Sequence, residues 1–411
     1  MANTAKHAPS KSQGQKTISR NKLLAISGTG WMFDAMDVGI LSFVIAAIAV
    51  EWNLAPAAIG WVGSVNSLGM MFGAIGFGLL ADRIGRKQVF MLTLVLFSVA
   101  SGLSALTTTL TAFLILRFFV GAGLGGELPV ASTLVSESVE AKERGRVVVL
   151  LESFWAAGWL IAALIAYFVI PTYGWRAALI ITALPAFYAI YLRRNLPDSP
   201  KFVQAGVAKQ SIGEKITALW AKPYRRRTLM LWIVWFTVVF SYYGMFLWLP
   251  SVMVLKGFAM IKTFGYVLLM TLAQLPGYFS AAWLIERTGR KFVLATYLIG
   301  TALSALAFGN ADTLAMLLVF GGLLSFFNLG AWGALYAYSP EQYPTSIRGT
   351  GTGMAAGIGR IGGIFGPLLV GSMLTAGYGF GMIFGIFCGA ILIGVLAVVF
   401  LGMETKQMEL E

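Results

Sequence analysis

The sequence predicts an all-α polytopic membrane protein with twelve transmembrane helices in two pseudo-symmetric six-helix bundles. The chain of 411 residues is 58% hydrophobic and only 11% charged, with a mean hydropathy of +0.79. A soluble domain cannot bury that much apolar surface, so the composition is typical of a polytopic membrane protein. Apolar segments of membrane-spanning length and an internal repeat support the same class.

Twelve apolar segments have the length of about 20 residues that a helix needs to cross a bilayer. None shows the strict alternation of a β-strand, so all are predicted to be helices. A polar gap divides them into two sets of six. The segments are 23–50, 58–80, 88–107, 111–137, 146–170 and 176–193 before the gap, and 228–252, 263–285, 291–309, 313–338, 350–374 and 379–402 after it.

The distribution of Lys and Arg predicts the orientation of these helices. All but five of the 30 Lys and Arg residues lie in the terminal tails or in the even-numbered loops. Because cytoplasmic loops of membrane proteins are enriched in these residues, both termini are predicted to be cytoplasmic, in a protein of the inner or plasma membrane surrounded by lipid. The net charge of +13 is explained in this way without nucleic acid. The predicted parts are a disordered cytoplasmic tail at 1–22, a six-helix bundle at 23–193, a cytoplasmic linker at 194–227, a second bundle at 228–402 and a cytoplasmic tail at 403–411.

A loop pattern is repeated between the two halves. The segment "ADRIGRK" at 81–87 recurs as "IERTGRK" at 285–291. The same offset carries Glu137 to Glu341 and Arg144 to Arg348. Three features at one spacing indicate two parallel halves related by an axis along the membrane normal, an arrangement that resembles the major facilitator fold.

Longer motifs extend this resemblance over the whole chain. "GLLADRIGRK" resembles the loop signature of the major facilitator superfamily, and "FVGAGLGGELPVASTLVSE", "PDSPKF" and "ETKQME" resemble its sugar-porter branch. The seventh span, "WIVWFTVVFSYYGMFLWLP", lacks the glutamines that sugar porters direct at hexoses. The eleventh, "EQYPTSIRGTGTGMAAGIGRIGGIFGP", resembles organic-ion transporters, and the chain is most similar to bacterial nicotinate (niacin) transporters of that group. "DAMD" also resembles an Asp-Gly-aromatic-Asp motif of aromatic-acid/proton symporters, with Ala35 in place of the glycine.

The resemblance implies a set of charged residues at the cytoplasmic helix ends that act as a conformational latch. In the family, such contacts break and re-form as the two bundles rock, and they do not bind substrate. The latch residues are Asp82, Arg83, Arg86, Glu137 and Arg144 in the first half, and Glu286, Arg287, Arg290, Glu341 and Arg348 in the second.

Ionisable residues inside a membrane are costly, which makes each one a candidate functional residue. Six candidates lie inside predicted spans and away from the span ends: Asp34, Asp37, Arg117, Glu127, Glu152 and Arg360. A helical rise of 1.5 Å per residue places Asp37 about 20 Å from the cytoplasmic start of its span, and Arg117 about 10 Å from the outer start of its own. These depths coincide in a core about 30 Å thick, so the two residues can pair.

Two interpretations of these charges remain open. Either Asp34 and Asp37 couple transport to protons, with Arg117 balancing one of them, or the pair is a fixed salt bridge between two spans. Glu127 and Glu152 lie at similar depth on consecutive spans. They either share a proton or form hydrogen bonds at a helix interface.

Arg360 lies near the middle of the eleventh span, where carriers of this architecture bind substrate. Its planar guanidinium suits a carboxylate, and a salt bridge to the first half is the alternative. Gln274 lies at a similar depth and is predicted to bond a ring nitrogen. Aromatic residues on cavity-facing spans are predicted to hold the ring, with Asn328 as a further polar candidate. These aromatic residues are Trp31, Tyr242, Tyr243, Phe327 and Trp332.

Catalysis is not indicated, because the only cysteine is Cys388 and the only histidine, His7, lies in the N-terminal tail. The chain is expected to use no cofactor or metal and to act as a functional monomer. We therefore expect a carrier that imports a small aromatic monocarboxylate, nicotinate first, by proton symport with alternating access. A benzoate-type symporter, a drug or organic-ion efflux antiporter, and a non-transporting binding protein on a carrier fold are the alternatives.

Overall fold

Helices form the fold of the protein, for which a computed structural model describes residues 20–84, 86–138, 144–188, 191 and 212–406. Within these ranges no residue lies in a β-strand. The helices are α1 (Arg20–Glu51), α2 (Pro56–Ile84), α3 (Arg86–Ser104), α4 (Leu110–Ser138), α5 (Arg144–Ile181), α6 (Ile212–Leu219), α7 (Arg225–Phe246), α8 (Leu249–Leu255), α9 (Met260–Leu272), α10 (Gln274–Thr288), α11 (Arg290–Gly309), α12 (Leu314–Glu341), α13 (Thr345–Thr375) and α14 (Phe380–Leu401).

The helices account for twelve membrane crossings. Ten are long and apolar enough to span a bilayer, and Leu110–Gly126 is a shorter apolar helix. One of the ten, Leu150–Tyr188, has 39 residues, which is too long for one crossing at about 1.5 Å per residue. It turns at Gly174, where a φ of 80° breaks the helix, and so supplies the predicted fifth and sixth spans. The all-helical membrane fold with twelve spans is therefore confirmed.

Two predicted spans of the second half are interrupted. The seventh breaks after Phe246 and resumes as α8, which has a proline at its start. The eighth breaks at Ala273, between α9 and α10. Pro276 follows this break and has no N–H to continue the helical ladder, which explains the interruption. The break places Gln274 at the start of α10.

Packing follows the same pattern in both halves. In the first half, α1 packs along α5 and α2 along α4. In the second half, the equivalent pairs are α7 with α13 and α10 with α12. The halves meet along α2 and α13, and where α5 contacts α9, α10 and α12. The predicted pseudo-symmetry is therefore present in the packing itself.

Small residues close the contact between the halves at one end. We call the end where α1 begins and α14 ends the tail face, and the opposite end the far face. Near the far face, a Cβ at Gly371 of α13 would lie 2.5 Å from the carbonyl oxygen of Pro56 in α2. Further along, Ser64 donates a hydrogen bond to the Ile364 carbonyl at 2.6 Å. The halves are in direct contact there.

Towards the tail face, α13 no longer packs as closely. Gly357 and Gly353 continue the helical stripe of Ile364, about two and three turns beyond it towards the tail face. A Cβ at either glycine would have no neighbour within 4 Å among the described residues. The seam is therefore packed in its far half, whereas the described residues leave space beside α13 in its tail half, and Arg360 lies where the two parts meet.

Candidate functional site

Arg360 connects the two halves of the molecule. Its Nη1 donates to the Tyr243 hydroxyl at 3.0 Å and to the Met70 sulfur at 3.2 Å. Tyr243 belongs to α7 and Met70 to α2. The side chain is partly buried, and Asp34 of α1 interacts with it electrostatically. Neither of its two hydrogen-bond acceptors is a carboxylate.

Aromatic side chains from four helices form a continuous wall beside this arginine. The wall consists of Trp31 of α1, Trp155 of α5, Tyr242 of α7 and Trp332 of α12, all of them buried. The ring centroids of Tyr242 and Trp332 are 4.8 Å apart, and those of Trp31 and Trp155 are 4.9 Å apart. Trp155 Nε1 donates to the Tyr242 hydroxyl at 2.9 Å, which joins the two pairs. We refer to these four residues as the aromatic wall.

Several buried polar atoms in this region have no hydrogen-bond partner among the described residues. Buried polar groups in proteins are nearly always bonded, so such atoms are available to a ligand or to water. Helical spacing aligns them, because Asn328, Trp332 and Tyr336 follow each other at four-residue intervals on α12. The atoms are Glu152 Oε2, both amide atoms of Gln274 and of Asn328, the hydroxyls of Tyr278 and Tyr336, and Nε1 of Trp31 and Trp332.

Glu152 lies inside this group. It is 1% exposed on α5, with Trp31 beside it. Tyr278 of α10 and Tyr336 of α12 are both within its electrostatic range. Tyr336 also lies within range of Arg360. A cationic side chain and an acidic side chain are thus placed around the same phenol.

Asp37 and Arg117 form the contact that their depths allowed. Arg117 Nη1 lies 3.2 Å from a carboxylate oxygen of Asp37, and both side chains are fully buried. Ser101 donates to the other oxygen of Asp37 at 2.5 Å and accepts from Arg117 at 2.9 Å. Thr182 lies 2.7 Å from the same serine hydroxyl. This network belongs entirely to the first half.

Asp34 and Glu127 complete the six predicted membrane charges. Asp34 is 2% exposed and lies one turn before Asp37, on the same helix as Trp31. The side chain of Glu127 lies outside the described residues. The structure therefore separates Asp37, which is bonded to Arg117, from Asp34, which acts on Arg360.

The structure describes the predicted latch only in the second half. Arg290 contacts Glu286 at 3.1 Å and Glu341 at 3.2 Å, within one bundle. Arg348 donates to the backbone carbonyls of Pro340 and Tyr343, while Arg287 stacks on Trp283 at 3.9 Å. The side chains of the first-half residues lie outside the described part of the chain, namely Asp82, Arg83, Arg86, Glu137 and Arg144.

Phe327, one of the predicted ring-binding residues, packs against a neighbouring helix. Its ring packs on Tyr297 of α11 at 5.7 Å and against Gly300 of the same helix. Asn328 is the next residue on α12, and one helical step of about 100° turns it onto the face of Trp332. Phe327 therefore lies between α12 and α11, away from the aromatic wall.

Four other residues at the site were not predicted from the sequence. Met70 and Trp155 contact Arg360 and Tyr242, and Tyr278 and Tyr336 supply hydroxyls. The four-residue spacing from Trp332 to Tyr336, and from Gln274 to Tyr278, is a signal that points to both tyrosines. Met70 carries no comparable signal, since an apolar residue in an apolar helix is unremarkable by its type.

Fold and site together define an integral membrane protein with a buried cluster of polar and aromatic side chains between two helical bundles. The sequence matches the Major Facilitator Superfamily over residues 29–277 and 261–410, and the chain belongs to that family of transporters.

Individual relatives cover nearly the full chain. A Bacillus subtilis (strain 168) protein, whose name assigns it niacin or nicotinamide transport, is 67% identical over 397 residues, covering 97% of this chain and 99% of that protein. The niacin transporter of Acinetobacter baylyi is 47% identical over 417 residues, covering 95% of each. The E. coli xylose transporter, in a partially occluded inward-open conformation, has a TM-score of 0.76 at 18% identity, covering 95% of this chain and 99% of that chain. At that identity the structural likeness establishes the fold alone.

Proposed function

We propose that this protein is a carrier that imports nicotinate (niacin) together with a proton, as a functional monomer in the cell membrane. The observation that carries the proposal is Arg360, an arginine between the two halves that donates to a phenol and a thioether and lies beside an aromatic wall. The name of the Acinetobacter baylyi relative supports niacin, and that of the Bacillus subtilis relative supports niacin or nicotinamide.

Arg360 is the proposed partner of the substrate carboxylate. A guanidinium presents parallel N–H groups that match the two oxygens of a carboxylate. The Tyr243 hydroxyl, which accepts from Arg360, can donate its own proton to one of those oxygens. Nicotinamide is neutral at the same position and loses the ionic part of this interaction.

The aromatic wall is the proposed binding surface for the ring. Stacked or tilted aromatic contacts favour a flat substrate over a hexose. The amides of Gln274 and Asn328, which lack partners among the described residues, are available to the ring edge. A small aromatic carboxylate therefore matches the arginine, the aromatic wall and the two amides.

Proton symport follows from the charge of the substrate. Nicotinate is anionic at neutral pH, so the inside-negative membrane potential opposes its entry. A proton carried with it removes that cost. Asp37 is held by Arg117 and Ser101, whereas Asp34 acts on the substrate-binding arginine. We therefore assign the coupled proton to Asp34, with Asp37 and Arg117 as a supporting pair.

Alternating access is the proposed transport cycle, with the tail face in the cytoplasm. The packed far half of the seam then closes the site to the outside, and the free space along Gly353 and Gly357 opens it to the inside. The second-half contacts of Arg290 with Glu286 and Glu341 are proposed to re-form against the other bundle when the carrier reverses.

Cysteine accessibility tests this cycle directly. Cys388 is the only native cysteine, so Cys388→Ser provides a clean background. In that background we expect Gly357→Cys to react with a water-soluble thiol reagent applied from the tail side, and substrate or a proton gradient to change the rate. Ser64→Cys, in the packed far half, is the matched control and is expected to react slowly. Equal reactivity at both positions would contradict the proposed closure.

Uptake into proteoliposomes tests the function itself. Purified protein is reconstituted, and labelled nicotinate is supplied with and without an inward proton gradient. We expect gradient-driven uptake that unlabelled nicotinate blocks and that nicotinamide and glucose spare. Uptake of benzoate in preference to nicotinate would support a benzoate-type symporter, and proton-driven export of cations an efflux antiporter. Binding without flux would make the protein a receptor on a carrier fold.

A further inference from the structure

Glu152 is a buried acid that has no role in the proposed binding of the substrate carboxylate. It is 1% exposed, and its Oε2 atom has no hydrogen-bond partner among the described residues. None of the ion pairs formed by the described residues includes it. Its neighbours are Trp31, Tyr278 and Tyr336, from three other helices.

Burial of a carboxylate without a cation is costly, which favours the neutral acid in such a place. A neutral carboxyl group has one O–H donor and can also accept. The hydroxyls of Tyr278 and Tyr336 also lack partners in the described part of the chain. The three groups form a polar pole in an otherwise aromatic region, suited to a ligand atom that accepts a hydrogen bond.

One tyrosine interacts electrostatically with both this polar pole and Arg360. Tyr336 lies within electrostatic range of both Glu152 and Arg360, and Tyr278 within range of Glu152 and of Tyr242 in the aromatic wall. The site therefore has a cationic pole, an acidic pole and an aromatic surface beside them. A flat ligand with an anionic group and a ring acceptor has a chemical partner at each pole.

We propose that Glu152 recognises the ring nitrogen of the substrate and makes the carrier specific for pyridine carboxylates over benzene carboxylates. This inference rests on the proposed function, because it takes the carboxylate at Arg360 as given. In the complex, the Glu152 O–H donates to the lone pair of the ring nitrogen. If the proton crosses that hydrogen bond, the pyridinium N–H donates back to the carboxylate, and no other bond changes.

Gln274 is the competing partner for the nitrogen. It is fully buried, and both of its amide atoms lack partners among the described residues. Its amide can donate to a neutral ring nitrogen but cannot exchange a proton with it. Glu152 can bind the ring nitrogen and can also exchange a proton with it, which is why we assign it this role.

Competition binding on the purified full-length protein tests the assignment. The readout is the ratio of the Kd for benzoate to the Kd for nicotinate, which differ only by a ring nitrogen. We expect the wild-type protein to prefer nicotinate by about tenfold, the value of one hydrogen bond to a group in a buried site. Glu152→Leu is expected to bring the ratio close to one by weakening nicotinate while sparing benzoate. Glu152→Gln keeps an N–H donor and is expected to retain most of the preference.

Gln274→Leu tests the competing partner. Because its amide is placed at the ring edge, we expect the affinities for nicotinate and benzoate to change by similar factors and only the ratio to stay near that of the wild type. Leucine is apolar and close to glutamate in size, so an apolar site tolerates it, and benzoate binding itself reports that the variant is folded. If Glu152→Leu binds benzoate but keeps the wild-type ratio, or if Gln274→Leu is the variant that abolishes the preference, the inference is wrong. Should Glu152→Leu not fold, loss of the preference in Glu152→Gln would overturn it, and retention would support it. Failure of the wild-type protein to bind nicotinate would instead reject the proposed function.

Discussion

Arg117 and Arg360 are both arginines inside membrane-spanning helices, but the protein surrounds them differently. Arg117 is fully buried and bonds the Asp37 carboxylate at 3.2 Å. Arg360 is partly buried, and its hydrogen bonds go to the Tyr243 phenol and the Met70 thioether. A carboxylate in direct contact neutralises Arg117, whereas the acceptors bonded to Arg360 are uncharged. Arg360 therefore retains the capacity to bind an anionic ligand.

The location of the partners differs as well. Arg117 bonds Asp37 and Ser101, which belong to the same half. Arg360 bonds one residue in each half. Rocking of the two halves would leave the first network unchanged and would alter the second. A membrane charge whose partners lie in one bundle therefore stabilises that bundle, while a charge at the seam can respond to substrate and to conformation.

Breaking the Arg117 pair is expected to give the largest effect on stability. Arg117→Met leaves Asp37 as an uncompensated buried charge, which costs about 3–5 kcal/mol in the free energy of unfolding. Denaturation of the purified protein in detergent measures it. Arg176→Met removes a partly exposed pair with Glu51 and is expected to cost about 1 kcal/mol or less. If the two substitutions cost the same, the buried pair lacks the structural importance assigned to it.

Replacement of Arg360 is expected to give the largest effect on substrate. Arg360→Ala should lower nicotinate affinity about 100-fold, because a bidentate charge-assisted pair contributes about 3 kcal/mol. Arg360→Lys keeps the charge but lacks the planar guanidinium, so its nicotinate affinity should lie between those of the wild type and Arg360→Ala. Binding and uptake of labelled nicotinate report the loss. A variant that binds nicotinate normally but is as unstable as Arg117→Met would reverse the comparison.

Much of this contrast could be predicted from the sequence. Hydropathy and charge distribution indicate the helices and their number, because a lipid environment requires long apolar segments. Depth along two antiparallel spans indicated that Asp37 and Arg117 can meet. Arg360 stands out because a cation in an apolar span requires a partner.

The partners of Arg360 could not be predicted in the same way. Met70 and Tyr243 meet it across the seam, and depth alone does not specify which face of a helix turns toward another. The same limit applies to the orientation of Phe327. One residue step along α12 separates the face that packs on α11 from the face that carries Trp332 of the aromatic wall. The break at Ala273 follows from Pro276, a local effect that hydropathy does not report.

Tyr243 tests the neutral partner that distinguishes Arg360 from Arg117. Tyr243→Phe removes the hydroxyl 3.0 Å from Arg360 and keeps the ring. We expect nicotinate affinity to fall about tenfold, the equivalent of one hydrogen bond to a charged partner at about 1.5 kcal/mol. Tyr242→Phe removes a hydroxyl that bonds Trp155 instead and serves as the matched control, with a smaller loss expected. A larger loss for Tyr242→Phe would mean that the wall, rather than the arginine, dominates binding.

Met70 is expected to give the smallest effect of the series. Its sulfur lies 3.2 Å from Arg360 Nη1 and 3.6 Å from the Tyr243 hydroxyl, but a thioether is only a weak acceptor. Met70→Leu conserves volume, so nicotinate affinity should change less than about threefold, or under ~1 kcal/mol. Titration of labelled nicotinate against the variant measures it, with Met70→Ala as a test of packing. A loss of affinity as large as that of Arg360→Ala would show that Arg360 depends on this contact between the halves. Arg360 would then differ from Arg117 by its position at the seam and not by its ability to bind an anion.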